Sequence, residues 1–275
     1  MSAATTEEAS RLTKRSLAET PDFLLETVVC SCGVSGWSPP ERSSRYGIVF
    51  VRDGCFRRRV NGRESFVDPT VVYFERPDDQ QEIAHPVAGD SCTALYLSEE
   101  LLASIWGGEP GVPEDALATE AATDLRHRLL LAEATADLED AIVSIAAAVL
   151  GVAAPKRVAA GRPTTAASRR RVVRGARERL VANPAASVIE LASQVSVSPH
   201  HLSRVFKSET GETISRHRNR LRVRLALERI AEGETCLARI AADLGFADQG
   251  HLARVMRNEL GAPPSALRRL LSPSA

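Results

Sequence analysis

The apolar positions of the chain fall into two patterns. Between residues 46 and 77 they gather in short runs of Val, Tyr, Phe and Ile. These runs are broken by Asp53-Gly54 and Asn61-Gly62, dipeptides that tolerate the positive φ of tight hairpin turns. The pattern predicts a meander of strands, and a further strand over SCTALYL (91–97), after a Gly89-Asp90 turn. Over 124–151 the period changes. Leu125, Leu129 and Ala132, then Leu138, Ile142, Ile145 and Val149, recur at helical spacing with no Pro or Gly until Gly151, which predicts one or two helices.

Every segment beyond residue 168 carries the helical period. Ser187 and Glu190 predict a capping box ahead of Val188, Leu191, Ala192 and Val195. Ser198-Pro199 predicts a second start, with Leu202, Val205 and Phe206 inside and a stop near Gly211. A longer helix is expected from Thr213 to Gly233, burying Val223, Ala226, Leu227 and Ile230. Thr235 is expected to cap the next helix, Gly245 to turn, and Asp248 to cap the last, which packs through Leu252, Val255 and Met256 as far as Gly261. The expected class is α+β with two domains. A β-rich domain with terminal helices occupies 1–152, a Pro/Ala/Thr-rich linker 153–168 and an all-α domain 169–275.

Composition sharpens this division. The 275 residues are 44% hydrophobic and carry a formal net charge of zero. Residues 1–160 hold 15 Lys+Arg against 25 Asp+Glu, whereas 161–275 hold 20 against 10. A basic half of domain size points to a polyanionic partner, with a merely dipolar protein as the plainer alternative. No run of 18 apolar residues spans a membrane, and the first 20 residues lack the apolar stretch of a secretory signal, so the cytoplasm is the expected location.

The basic half contains an internal repeat. LASQVSVSPHHLSRVFKSETG (191–211) aligns with AADLGFADQGHLARVMRNELG (241–261). The offset is 49 before the turn, where Val195 meets Leu244, Ser196 meets Gly245 and Val197 meets Phe246. It is 50 after the turn, where Leu202 meets Leu252, Arg204 meets Arg254, Lys207 meets Arg257 and Gly211 meets Gly261. One residue is inserted just after the second turn. A short helix, a tight turn and a helix with basic residues on its free face is a helix-turn-helix unit, present here twice. The helix between the units, about 20 residues and roughly 30 Å long, approaches one turn of B-DNA at about 34–36 Å. It predicts two reading helices, 198–209 and 248–259, in successive major grooves.

The candidate DNA-binding residues follow from the helical stripe. In the first unit these are His200, Ser203, Arg204 and Lys207. In the second the stripe is Gly250, Ala253, Arg254 and Arg257, with Gln249 and His251 beside it. Arg pairs bidentately with guanine and Gln with adenine, so Gln249, Arg254 and His251 are expected to read bases. Lys207 and Arg257, a turn further on, are expected to meet phosphates. The plainer alternative for each is a solvated helix face.

Residues 169–271 resemble the DNA-binding domain of AraC/XylS-type transcription regulators. The first unit carries the resemblance, together with RLRVRLALERIAEGE (220–234) and IAADLGFADQGHLARVMRNELGAPPSALRR (240–269). Its most specific marks are Gly245-Phe246 followed by Asp248-Gln249, and Gly261-Ala262-Pro263-Pro264. Family members usually carry Phe at the places of Leu252 and Met256, and a polar residue at that of Gly250. The β-rich half more weakly resembles the cupin-like sensor domain found ahead of such modules. The resemblance implies a non-enzymatic regulator with double-stranded DNA as partner, a small-molecule effector, a homodimer contact through the helices of 124–151, and RNA polymerase as a further partner. An ordinary core helix is the alternative for 124–151.

Other chemistry in the β-rich half is sparse. Enzymatic cupins hold a metal with a His-x-His pair, and this half has only His85 and His127. No metal ligand, cofactor or catalytic residue is therefore expected, and His85 reads as structural or solvent-facing. Cys30, Cys32, Cys55 and Cys92 contain no Cys-x-x-Cys pair and read as buried free thiols, with a zinc site or redox switch as the alternative. Arg57, Arg58 and Arg59 read as a solvated strand face rather than an anion site. The rival from another class is a cysteine- and zinc-dependent DNA repair protein carrying the same module, which metal analysis would discriminate.

Overall fold

The computed structural model describes residues 12–106, 109–132, 138–151 and 163–271. These residues form two compact units. One comprises the described residues of Met1–Thr119 and Glu139–Ala153, the other those of Glu120–Leu138 and Ala154–Ala275. Among the described residues no helix is long and apolar enough to cross a membrane.

The first unit is built on two antiparallel sheets. Its strands are β1 (Leu12–Glu19), β2 (Phe23–Cys30), β3 (Glu41–Arg42), β4 (Tyr46–Gly54), β5 (Phe56–Val60), β6 (Arg63–Val67), β7 (Val71–Glu75), β8 (Gln80–Ala84), β9 (Asp90–Leu97) and β10 (Leu117–Ala118). The orders are β1-β2-β9-β4-β7-β10 and β3-β8-β5-β6. The unit also holds α1 (Glu99–Trp106) and α3 (Leu138–Gly151). Val49, Val51, Tyr73, Cys92 and Ala94 of the larger sheet pack on Phe56 and Val67 of the smaller. Ile48 and Phe50, on the opposite face of β4, are buried as well. A strand covered on both faces loses alternation, which is why 46–54 reads as one apolar run.

Asn61-Gly62 makes the expected hairpin, with φ of 47° and 84°, between β5 and β6. Asp53-Gly54 does not. β4 pairs with β7 and β9, and the chain crosses at Gly54 into the other sheet. A Cβ at Gly54 would lie 2.4 Å from the Gly89 carbonyl oxygen, so this glycine serves close backbone approach rather than a turn. The three arginines of β5 are not a solvated face either. Arg58 is buried, donates to Gln81 Oε1 at 2.9 Å and lies 4.6 Å over the Tyr73 ring, while Arg57 and Arg59 approach Trp37 at 5.3 and 3.8 Å.

The second unit is all helix: α2 (Ala121–Leu131), α4 (Pro163–Ala182), α5 (Val188–Gln194), α6 (Pro199–Thr210), α7 (Ile214–Ala231), α8 (Leu237–Asp243), α9 (Gln249–Leu260) and α10 (Pro264–Leu271). Two boundaries differ from expectation. The helix α4 begins at Pro163, inside the stretch read as linker; residues 153–162 of that stretch lie outside the described residues. The helix α2, expected in the first domain, belongs to the second unit. Its Leu125, Leu129 and Ala132 pack on the helical core, Arg128 pairs with Glu228, and Asp124 Oδ2 lies 3.7 Å from Arg224 Nε. An apolar stripe records that a face is covered, not by what. In α3, Ile142, Ile145, Ala146 and Val149 are buried within the chain, so the apolar stripes of 124–151 lie inside it.

Among these helices α7 is the most enclosed. Every residue from Leu221 to Glu228 is buried, including Arg222, Arg224 and Glu228. The expected Val223, Ala226, Leu227 and Ile230 are all there. A helix buried all round is a central strut. At 18 residues it measures about 27 Å.

Candidate nucleic-acid interface

The two helix-turn-helix units share the bonds of their turns and of their second helices, while a capping box opens only the first unit. Ser187 and Glu190 form the expected capping box, Ser187 N–H donating to Glu190 Oε2 at 2.7 Å and Glu190 N–H to Ser187 Oγ at 3.2 Å. The Ser187 N–H, with the Ser187 hydroxyl, holds the Glu190 carboxyl below its ordinary range. In the first turn Val197 N–H donates to Ala192 C=O at 3.0 Å; in the second, Phe246 N–H donates to Ala241 C=O at 2.8 Å. Ser196 (φ 56°) and Gly245 (φ 74°) occupy the same left-handed position. Both second helices end alike, Gly211 N–H on Lys207 C=O and Gly261 N–H on Arg257 C=O, each at 2.9 Å. The offsets of 49 and 50 thus recur in the hydrogen bonds.

The second helices start as expected. Ser198 Oγ accepts from His201 N–H at 3.1 Å with Pro199 opening α6, and Asp248 Oδ1 accepts from His251 N–H at 2.6 Å. The N–H groups of His251 and Gly250, together with Arg254, hold the Asp248 carboxyl below its usual range. The expected cap at Thr235 is absent. Cys236 takes that position without a side-chain bond, and Thr235 C=O instead accepts from Arg268 at 2.8 Å.

Burial separates the two faces of each helix. Leu202, Val205, Phe206, Leu252 and Met256 face the core. His200, Ser203, Arg204 and Lys207 are all exposed and line one shallow groove with Val188, Thr213 and Ile214. Gln249, Arg254 and Arg257 are likewise exposed. A Cβ at Gly250 would stand 3.1 Å from Asp248 Oδ1 and 3.8 Å from Arg254 Nη1. His251 is placed differently. Its half-buried ring packs edge-on against Phe246 at 5.4 Å, and Nδ1 accepts from Ala247 N–H at 3.3 Å. Ala247 is the inserted residue, and His251 satisfies its N–H. No helical period carries that signal; only the offset change from 49 to 50 hinted at it.

Many cations of this half are internal. Arg222 Nε donates to Pro184 C=O at 2.7 Å, and its guanidinium lies 5.5 Å over Phe246. Burial, then the neighbouring Arg218, lowers its pKa to about 10. Arg220 and His217 Nδ1 meet Glu212 Oε1 at 2.8 and 2.9 Å. Burial pushes that carboxyl up, but these two partners outweigh it and hold it at about 2. Arg229 pairs with Glu234 and Asp243. The surface charge is therefore concentrated on fewer residues than the sequence count implies. Sequence reading also missed Thr213 and Ser215, which bring the first turn of α7 to the α6 groove. The N-cap residue Thr213, accepting from Arg216 N–H at 3.2 Å, was the available signal.

Two short-helix, turn and long-helix units bracketing a buried strut define a tandem helix-turn-helix domain. Residues 191–270 match the family described as "Helix-turn-helix domain". The chain is 32% identical over 80 residues to the HTH-type transcriptional regulator Rv1931c of Mycobacterium tuberculosis, covering 29% of this chain and 31% of that protein. It is 34% identical over 79 residues to the HTH-type transcriptional activator RhaS of Escherichia coli, covering 29% and 28%. The chain thus spans under a third of the length of these curated relatives. Among solved structures, that of unsaturated fatty acid bound wild-type ToxT from Vibrio cholerae aligns over 94% of this chain and 99% of that one, at 13% identity and a TM-score of 0.36.

Proposed function

We propose that this chain is a sequence-specific, DNA-binding transcription regulator rather than an enzyme, acting in the cytoplasm. The helices α6 and α9 enter successive major grooves on one face of the duplex. Arg204, Arg254 and Gln249 read base edges, His200 and Ser203 support the first contact, and Lys207 and Arg257 hold phosphates. The N-terminus of α7, through Thr213 and Ser215, meets the backbone next to α6. The observation that carries this reading is that His200, Ser203, Arg204 and Lys207 of α6 and Gln249, Arg254 and Arg257 of α9 are exposed, while Leu202, Val205, Phe206, Leu252 and Met256 of the same helices are buried. His251 serves the turn and not the bases.

In the same reading the β-rich unit takes a small-molecule effector and joins two copies, and the bound protein contacts RNA polymerase. The names of the two bacterial relatives support the regulatory part. Fluorescence anisotropy of the full chain tests the core of it. Binding to a selected duplex should exceed binding to random duplexes by at least about 10³-fold at physiological salt. Equal affinity for every sequence would overturn it.

A further inference from the structure

The first unit gathers four metal-binding side chains at one end of its larger sheet. Cys30 ends β2, and Asp90 opens β9 directly opposite it in the register. Cys32 follows two residues after Cys30, and His85 directly follows β8 of the other sheet. One ligand atom from each of these four residues lies within 4.8 Å of the others. Neither cysteine is the buried inert thiol expected from sequence: both are half-buried, while His85 is buried. The spacing argument failed because the third and fourth ligands come from strands that only folding brings together.

The backbone holds this cluster from several sides. Gly89 N–H donates to Cys32 C=O at 2.9 Å, and Ser35 N–H donates to His85 C=O at 3.0 Å. Gly54, crossing between the sheets, leaves no room for a side chain beside Gly89 and Asp90. The His85 ring is braced by Phe56 at 5.9 Å. Ser35 Oγ lies 3.4 Å from His85 Nδ1, and Asp90 Oδ2 lies 2.7 Å from Nε2. Cys92 Sγ, behind the cluster, donates to Asp90 Oδ1 at 3.5 Å. His85 and Asp90 thus each have a partner outside the cluster, Ser35 and Cys92, as metal-bound histidines and carboxylates do.

We propose that Cys30, Cys32, His85 and Asp90 form a binding site for a thiophilic divalent cation of the zinc class. Two sulfurs, one imidazole nitrogen and one carboxylate oxygen are a zinc donor set, and four protein ligands leave no vacant position for a substrate. The site is therefore structural. It ties the end of β2 and the loop after it to β8 and β9. His85 binds through Nε2 and donates Nδ1–H to Ser35. The Nε2 to Oδ2 distance opens from 2.7 Å to about 3.3 Å, the spacing of two tetrahedral ligands each about 2.0 Å from zinc. On binding, the two thiols release their protons to solvent, and the imidazole and carboxylate bind in neutral and ionised form.

The test uses the full chain, reduced and stripped of metal, titrated with Co²⁺ and then Zn²⁺. One equivalent of Co²⁺ should give the visible bands of tetrahedral coordination and a sulfur-to-cobalt charge-transfer band, both lost when Zn²⁺ displaces it. Cys30→Ser and Cys32→Ser should each weaken the charge-transfer band, and the double variant should abolish it. His85→Asn and Asp90→Asn should weaken affinity at least about tenfold. Cys236→Ser, altering the exposed cysteine of the other unit, should leave the titration unchanged. Retention of the band in the double serine variant, or no tetrahedral spectrum in the native chain, would overturn the proposal. Where a variant fails to fold, the native chain decides. Its melting temperature should fall on chelation and recover with Zn²⁺, and an unchanged melt overturns the site.

Discussion

At the scale of single residues, the two helix-turn-helix units separate base readers from positioners. Arg204→Ala and Arg254→Ala should each lose about 1–3 kcal/mol on a cognate duplex and relax the preference at one or two positions. Lys207→Ala should weaken all duplexes about equally and reduce the salt slope by about one. Anisotropy titrations over a range of salt check both, and identical behaviour of all three variants would remove the distinction. His251→Ala should lower the melting temperature, at a cost of about 1 kcal/mol for the lost Ala247 bond, and leave base preference unchanged. The exposed stripe was legible in sequence because helical spacing alone puts four residues on one face. The role of His251 was not, because it depends on where one inserted N–H finds its acceptor. The paired turn positions behave oppositely. A Cβ at Gly245 would stand 2.6 Å from Ala185 Cα, so Gly245→Ala should cost about 1–3 kcal/mol. Ser196→Gly, at the same left-handed position, should be neutral or stabilising by up to about 1 kcal/mol, as thermal melts would show.

At the scale of elements, α7 is the buried helix that separates the two helix-turn-helix units. Its length was legible from Thr213 to Gly233, and so were the four apolar positions assigned to the core. Its buried charges were not, since Arg222, Arg224 and Glu228 look like a solvated stripe until neighbours close over them. Glu212, just ahead of α7, provides a pH test. Its folded pKa, about 2, lies below the ordinary value of 4.5. A depressed carboxyl contributes stability that is complete above about pH 4.5 and is lost as pH falls towards 2. After allowance for its partial solvent contact, the contribution is about 2 kcal/mol. Glu212→Gln should lower stability by about that much at pH 7 and flatten the acid limb of the stability curve. Chemical denaturation at pH 7, 4.5 and 3 measures both effects.

At the scale of the whole molecule, the helical unit extends beyond its second-half sequence. A fragment starting at residue 163 lacks Asp124 and Arg128, the partners that α2 brings to Arg224 and Glu228. Removing one side of a buried charge pair costs about 3–5 kcal/mol. A fragment starting at residue 120 should therefore be more stable than one starting at 163 by at least about 3 kcal/mol, as paired denaturant melts would show. The net +10 of residues 161–275 overstates the charge offered to a partner, because Arg222 and Arg224 are buried. Sequence by itself determined what depends on neighbours a few positions apart: the repeat and its single insertion, the caps at Ser187, Ser198 and Asp248, the Asn61-Gly62 hairpin, and the exposed stripes of α6 and α9. Tertiary structure alone decided what depends on residues far apart in the chain. It set the crossing of Gly54 between sheets, the attachment of α2 to α7, and the meeting of Cys30, Cys32, His85 and Asp90. Local periodicity records which face of an element is buried, whereas the partner covering that face is fixed only when the chain closes on itself.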